Sequence, residues 1–536
     1  MSDNSTKYQS KDIAGKLANG FLKNPLTALL GAFLLLMGYL ALNIMPREED
    51  PQIAISGGTV IVPMPGASAA QIEKVIVNPL ERRLQEIKGI EHIYGMAMDN
   101  VGVVNVMYYI GQNREDSNLK LYDKIMQNMD ELPKGAMQPQ IKPFDIDIDI
   151  PIVTVAFYAK NSAKTSEIDL YKTVRTLQQE VNGIQNVSKT TLQGARKAQY
   201  NVQVDLDKLS GYNLSLGQIM QSIGAVTKGV PDVKSRTANG ELVVIGIENV
   251  IENIKDVGDI AVADYGGSLI YLKDVATISE GIDIQNFQSA TLTFKDSNSS
   301  KFSNELSQIT LTASKLANTN AVTVADGVLD TIKSHDNELA RAGIGYVVTR
   351  NYGIRADHAV NELMHHLIIT IIIIALMLVF ALGWRESLIV TFTVPAILAI
   401  TLFIAYLGGQ TINRITLFAF LLSLGLLVDA AIIVIENIHR HLHSHSSENQ
   451  TMEELLVEAT DEIGPPTNVA TLAIILTMVP MAFVGGMMGS FMKPIPYNVP
   501  VALIASLFVA YIFTPYLSLK LLKKPEHKHH NKMETK

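Results

Sequence analysis

The amino-acid sequence predicts an α+β membrane protein, with six transmembrane helices and a large soluble region between the first two. Three observations predict it. Six apolar runs are long enough to cross a bilayer, the interval from residue 46 to 358 is polar and strand-rich, and a helix-turn-strand segment occurs twice within that interval. Composition agrees: of 536 residues, 48% are hydrophobic and 18% charged, against roughly 25% charged in an average soluble domain. Mean hydropathy is +0.20. This apolar content excludes a disordered chain, and 36 Gly with 20 Pro but no triplet period excludes a collagen-like one. Zero Cys excludes disulfide scaffolds and thiol catalysis, and a net charge of -8 offers no electrostatic basis for binding nucleic acid.

A helix crossing the hydrocarbon needs about 20 predominantly apolar residues. No charge occurs in Asn24–Pro46, Leu367–Trp384, Ser387–Asn413, Ile463–Met492 or Pro494–Leu519, and Ile415–Ile435 carries only Asp429. Gly485, Gly486 and Gly489 mark the end of the longest run. The spans are therefore expected at 25–45, 363–383, 387–408, 415–438, 466–484 and 498–520. Lys7, Lys11, Lys16 and Lys23 precede the first span and Lys520, Lys523, Lys524, Lys528, Lys532 and Lys536 follow the last. Six spans put both tails, 1–24 and 521–536, on one side, and this lysine bias makes it the cytoplasm. The stretch 439–465 is expected to be a cytoplasmic connection. The first run is not a cleaved signal peptide, because Pro46-Arg47-Glu48-Glu49-Asp50-Pro51 stands where a small-residue cleavage site would be.

In the soluble region, Gln85-Glu86-Ile87-Lys88-Gly89-Ile90-Glu91-His92-Ile93 echoes Gln179-Glu180-Val181-Asn182-Gly183-Ile184-Gln185-Asn186-Val187. Each segment closes an amphipathic helix (68–87 and 165–182) and turns at Gly into a strand. Strands Gly58–Met64 and Pro151–Tyr158 precede the two helices, and strand Val101–Ile110 and helix Asp116–Asn128 continue the first copy. The second copy is expected to finish late, through Ser289–Phe294, Asn320–His335 and Gly345–Arg350. Such strand-helix-strand units suggest two ferredoxin-like subdomains, one at 46–140 and one at 141–195 plus 286–355, with an insertion at 196–285. Asn239-Gly240 within the insertion is a hairpin signal.

The chain resembles the N-terminal half of a resistance-nodulation-division (RND) efflux pump permease of the hydrophobe/amphiphile type. The resemblance rests on Met45–Pro51, Pro65-Gly66-Ala67-Ser68 with Asn78-Pro79-Leu80-Glu81, and Asn320–Ala325. It continues through Val348–Gly353, Gly383-Trp384-Arg385-Glu386 and Leu426–Asn437. It implies that the repeats are porter subdomains 1 and 2, that the insertion is a docking subdomain, and that the protein sits in the bacterial inner (plasma) membrane with a large periplasmic domain. It also implies proton-driven export of hydrophobic or amphiphilic compounds by a trimer working with a periplasmic adaptor and an outer-membrane channel. The implied partner is a C-terminal half, or a second copy of the chain, and no cofactor beyond the proton gradient is expected.

Asp429 carries the mechanism in this reading. An ionised carboxylate deep in a membrane helix is costly and defaults to a functional role. Desolvation raises its pKa and a nearby cation lowers it, so alternation between the two makes a proton carrier. Glu436, two turns on, and its neighbour Asn437 are candidate relay support, although an interfacial position suits Glu436 better. Many relatives have two consecutive Asp in the relay, whereas here the second is Ala430. The resemblance places the relay's lysine on helices of the second half. It also puts Ile152, Thr154, Ala156, Thr191 and Gln193 on strands lining a substrate pocket.

Other features are read as structural. Asp145, Asp147 and Asp149 alternate along a strand, where a solvated edge is favoured over a cation site. His439, His441, His443 and His445, with His527, His529 and His530, form compositional metal-binding tracts only. No metal site is expected. No G-x-x-x-x-G-K-[ST], H-E-x-x-H or G-x-S-x-G occurs, so no P-loop and no enzyme is expected. A SecD-like export accessory and a truncated, inactive permease are the alternatives to a half-length transporter subunit.

Overall fold

The computed structural model describes residues 10–145, 149–161, 165–195, 197–227, 233–236, 242–245, 251–265, 267–283, 289–295, 302, 304–444 and 450–523. Helix α1 (Ile13–Leu22) is capped by the Asp12 carboxylate, which accepts from Ala14 N–H. Its Ala14, Ala18 and Leu22 are buried against the membrane helices. The expected bare tail is therefore a packed amphipathic helix. Helix α2 (Leu26–Ile44) follows and ends at Met45.

The first soluble unit is strand β1 (Ser56–Pro63), helices α3 (Ala69–Ile72) and α4 (Asn78–Leu84) joined by a wider π turn, β2 (Ile90–Met98), β3 (Val101–Tyr108), α5 (Arg114–Gln127) and β4 (Gln140–Asp145). Ser68 and Gln71 form a capping box that starts α3. All three strand pairings are antiparallel, in the order β2-β3-β1-β4, which is the ferredoxin-like order. Because β4 pairs with β1, this unit runs to residue 145, beyond the expected limit at 140. Alternation buries Val60, Val62, Val104 and Val106 against Ile72, Ile76 and Leu121. The buried Tyr108 hydroxyl donates to Ser117 O at 2.8 Å.

The second unit repeats the plan: β5 (Val153–Ala159), α6 (Glu167–Asn182) and β6 (Val187–Gln193) lead into the insertion. The insertion opens with β7 (Ala198–Val204), a short helix at Leu206–Gly211 and helix α7 (Leu216–Thr227), and it holds β8 (Val233–Arg236), β9 (Leu242–Ile245), β10 (Ala261–Tyr265) and β11 (Ser268–Tyr271) before closing with β12 (Ala276–Ile282). β12 pairs with β7 over its whole length, so the insertion leaves and returns at one point. β8 and β9 pair antiparallel, and Asn239-Gly240 between them lies outside the described residues.

The chain re-enters the second sheet at β13 (Thr291–Leu292) and β14 (Leu306–Lys315), then closes it with α8 (Ala321–Ser334) and β15 (Ile344–Asn351). This corrects one expectation. Ser289–Phe294 supplies only a two-residue edge, and β14 is an inner strand beside β5, paired to β5 on one side and to β6 on the other. The cause is alternation: Ile309, Leu311 and Ala313 all point into the core shared with Val155, Phe157, Leu170, Val174 and Val328. The echoing turns also differ. Gly89 has φ +96, which favours glycine, whereas in the second copy Asn186 takes the left-handed position with φ 69.

At the end of α8, the His335 ring accepts a raised pKa from its hydrogen bond to the Thr331 carbonyl (3.0 Å), aided by Glu180 at 3.4 Å. A raised pKa stabilises the fold at and below the ordinary histidine value of about 6.5, and that gain is lost as pH rises through the folded value. His335→Gln should flatten this part of the pH dependence of the unfolding midpoint, measured for the full chain in detergent.

The remaining helices are α9 (Tyr352–Ala381), α10 (Trp384–Leu407), α11 (Arg414–Leu442), α12 (Met452–Ala482), α13 (Gly486–Met492) and α14 (Pro494–Leu521). With α2, six helical segments among the described residues are long and apolar enough to cross a membrane. α12 starts at Met452, inside the stretch expected to be a connection, because Thr451 and Glu454 form a capping box. Pro395, Pro480 and Pro515 stay inside continuous helices. α14 is the hub: its Val499, Ala502, Val509, Ala510 and Phe513 are buried among α10, α11 and α12. α9, at 30 residues, is about 45 Å long, some 15 Å more than the hydrocarbon. Its first turns pack on α8 and join the second unit to the bundle.

Candidate functional site

Helix α11 carries two unlike faces. One buries Leu417, Phe420, Leu424, Leu427, Val428, Ala431, Val434, Ile435 and Ile438. The other is an open stripe at helical spacing: Phe418, Leu422, Gly425, Asp429, Ile433 and Glu436 are all exposed. Asp429 stands about 22 Å along the axis from Arg414 and about 20 Å from Leu442. That is the middle of a helix long and apolar enough to cross a bilayer, and no described residue pairs with its carboxylate. A bare carboxylate at that depth requires a partner or water facing the stripe.

Glu436 lies on the same stripe, about 10 Å further along. Asn437 does not. It is buried on the neighbouring face, where its side-chain amide donates to Ala459 O (2.7 Å) and Glu462 Oε2 (3.1 Å) of α12. The structure thus places Asp429 and Glu436 on one face, about 10 Å apart, and ties Asn437 to a polar cluster at the helix end. That cluster includes Arg440 and His441 on Glu462, at 2.9 and 2.7 Å, and His439 against Glu386 at 3.2 Å. Sequence reading missed it, although the signal was there: Glu386 and Glu462 flank apolar runs that must return to the same surface as His439. Asp461 anchors α1 there, accepting the Lys11 and Asp12 backbone N–H groups, both at 2.8 Å. His443 Nδ1 faces the His439 carbonyl, His445 and the tail histidines lie outside the described residues, and no metal-holding group of three side chains occurs among the described residues.

The five strand residues divide. Register aligns Thr191, Thr312 and Thr154 across β6, β14 and β5, and Gln193, Thr310 and Ala156 in the adjacent row. These lie on the face opposite α6 and α8. Hydroxyls join the first row laterally, Thr191 to Thr312 at 2.6 Å and Thr154 to Thr349 at 2.7 Å. Gln193 is exposed and Ala156 fully buried. Ile152 is elsewhere: it precedes β5 and lines a cavity of about 200 Å³ with Glu48, Lys315, Tyr352 and Phe491. Of the alternating aspartates, Asp149 meets Lys189 at 3.0 Å, Asp145 ends β4, and Asp147 lies outside the described residues.

Residues 17–536 match the AcrB/AcrD/AcrF family. The chain is similar to an uncharacterized transporter of Haemophilus influenzae, with 23% identity over 96% of this chain and 48% of that protein. It is similar to the swarming motility protein SwrC of Bacillus subtilis (25%, covering 91% and 48%) and to the toluene efflux pump membrane transporter TtgE of Pseudomonas putida (24%, covering 96% and 48%). The chain spans about half the length of the curated relatives it matches. Six apolar helices, a large extra-membrane region and a match across almost every residue lead to one assignment: this chain belongs to the AcrB/AcrD/AcrF family of RND permeases, multi-pass proteins of the bacterial inner membrane.

Proposed function

We propose that this chain is one half of a proton-driven exporter of hydrophobic or amphiphilic compounds, and that Asp429 carries the proton. The observation that supports it is the open stripe of α11, apolar from Phe418 to Ile433 except for the carboxylate of Asp429, with Glu436 at its end. A second helical half covers this stripe, on another chain, on a copy of this one or further along the same polypeptide, and it supplies the cation for Asp429. Deprotonated, Asp429 pairs with that cation. Protonated, it releases it, and the two helix sets shift. Relatives named as toluene efflux and solvent-resistance pumps support an apolar substrate class. The helix-free face around Thr154, Thr191 and Gln193 is the candidate substrate surface, and the complete pump is a trimer with a periplasmic adaptor and an outer-membrane channel.

The test is dye efflux from energised cells, with and without an uncoupler, for the chain alone and with a completing half. The expected result is uncoupler-sensitive efflux only in the second setting. In this reading residues 46–358 face the periplasm and both tails the cytoplasm. The chain has no cysteine, so Leu206→Cys and Lys23→Cys each give a single label. Leu206 is 72% exposed in the insertion. An impermeant thiol reagent should label it in intact cells, and should reach the cysteine at 23 only after the membrane is opened. Labelling of both from outside would overturn this topology.

A further inference from the structure

The charged run after the first membrane helix has no role in the reading above, yet it is tied to four other elements of the molecule. Four consecutive charges each meet an opposite charge on another element. Arg47 pairs with Asp357 of α9 at 2.8 Å, Glu48 with Lys315 at the end of β14, Glu49 with Arg355 of α9 at 2.8 Å, and Asp50 with Arg414, the first residue of α11. The backbone is fastened as well. Ile412 N–H donates to Pro46 O and Glu48 N–H to Ile412 O, both at 2.9 Å, and Arg414 N–H donates to Glu49 O at 3.2 Å. Ala321 N–H, at the start of α8, donates to Arg47 O at 2.9 Å. Five residues therefore hold the helix of Asp429, the long helix α9, and both α8 and β14 of the second sheet.

The Glu48–Lys315 pair is the innermost of these ties, with side chains only 3% and 7% exposed. Burying an ion pair costs several kcal/mol per ion in desolvation, and an apolar pair of similar volume is often as stable or more so. Stability alone therefore does not account for it. Its geometry does: it is the side-chain link between the strap and the strand that carries Thr310 and Thr312. Glu48 Oε2 and Glu49 Oε2 are buried without a hydrogen-bond partner among the described residues. Burial raises the Glu49 carboxyl, and Arg355 draws it back.

We propose that Pro46–Asp50 is a coupling strap, through which movement of α11 reaches β14, and that Glu48 and Lys315 are its positioning residues. They touch neither proton nor substrate. The assignment rests on the proton-carrier reading of Asp429, so its test keeps the two apart.

The transport-competent assembly is compared as wild type, Asp429→Asn, the neutral double variant Glu48→Gln with Lys315→Met, and the reversed double variant Glu48→Lys with Lys315→Glu. A fluorophore on Gln179→Cys, on the exposed face of α6, reports movement of the second unit when a proton gradient is imposed. The neutral pair should lose at least about tenfold in efflux and lose the fluorescence response, with an unchanged unfolding midpoint. The reversed pair should recover at least half of both. Wild-type efflux and response in the neutral pair would overturn the strap, whatever Asp429 does. So would loss of efflux accompanied by a lowered midpoint, which marks the pair as structural. Normal transport by Asp429→Asn would instead overturn the proton reading, on its own arm.

Discussion

Asp429→Asn should abolish uncoupler-sensitive efflux, down to the level of cells without the pump, while the protein still inserts and accumulates normally. Asparagine keeps the size and a hydrogen-bonding carbonyl but cannot titrate. Since the side chain lies on the open stripe and not in the packed face of α11, its exchange removes no packing contact within the chain. The effect should be nearly complete because nothing nearby can substitute. The adjacent position is Ala430, whose side chain is buried on another face, and Glu436 is two turns away. A driving force of 100 mV is worth about 2.3 kcal/mol per charge moved, and a carrier that cannot bind the proton captures none of it. Insertion is checked by membrane fractionation and transport by dye efflux, with the completing half present. Unchanged, uncoupler-sensitive efflux would place the proton path elsewhere. Robust efflux by the chain alone would identify a second copy as the cover of the stripe.

The bilayer made much of the membrane part legible, because each crossing demands an uninterrupted apolar run. Asp429 was legible for the same reason, as the lone charge in such a run. Its outward orientation follows from spacing, since Phe418, Leu422, Gly425, Asp429, Ile433 and Glu436 recur every three or four residues. Asn437 falls one residue off the stripe, and that step turns it toward Glu462. Two elements were readable and overlooked. Asp12 followed by Ala14, Leu17, Ala18, Phe21 and Leu22 is a capped amphipathic helix, and Ile309, Leu311 and Ala313 alternate as a buried strand should. The strap is different in kind. Arg47, Glu48 and Asp50 find their partners 310, 267 and 364 residues away. A short run of charges reads as solvated until the fold brings those partners in, and no local pattern encodes the pairing.

The strap is held at its other end by α2, and there the largest packing effect is expected. Gly38 lies directly on α10: a Cβ built on it would sit 2.3 Å from Ala399 Cβ and 2.4 Å from Ala399 Cα. The obstacle is backbone, so no rotamer change relieves it, and the two helices must move apart. Within a bilayer this is severe, because lipid tails are as apolar as the helix and close backbone approach at small residues drives association. Besides Gly38, α2 buries only Thr27, Gly31 and Ala41, while Leu30, Leu34, Leu35 and Leu42 are partly buried against the bundle. Gly38→Leu should therefore cost about 3 kcal/mol or more, the upper range for overpacking, and should detach α2 enough to expose residues 46–55 to protease. Gly31→Ala is the contrast. Its new methyl meets the ring of Phe513 at 3.0 Å, and a side chain can swing aside, so the loss there should stay below about 1 kcal/mol. Thermal unfolding and limited proteolysis of both variants in detergent read the difference. Equal midpoints for the two would mean that the α2–α10 contact is not close-packed at Gly38, and that the strap is anchored by its charges alone.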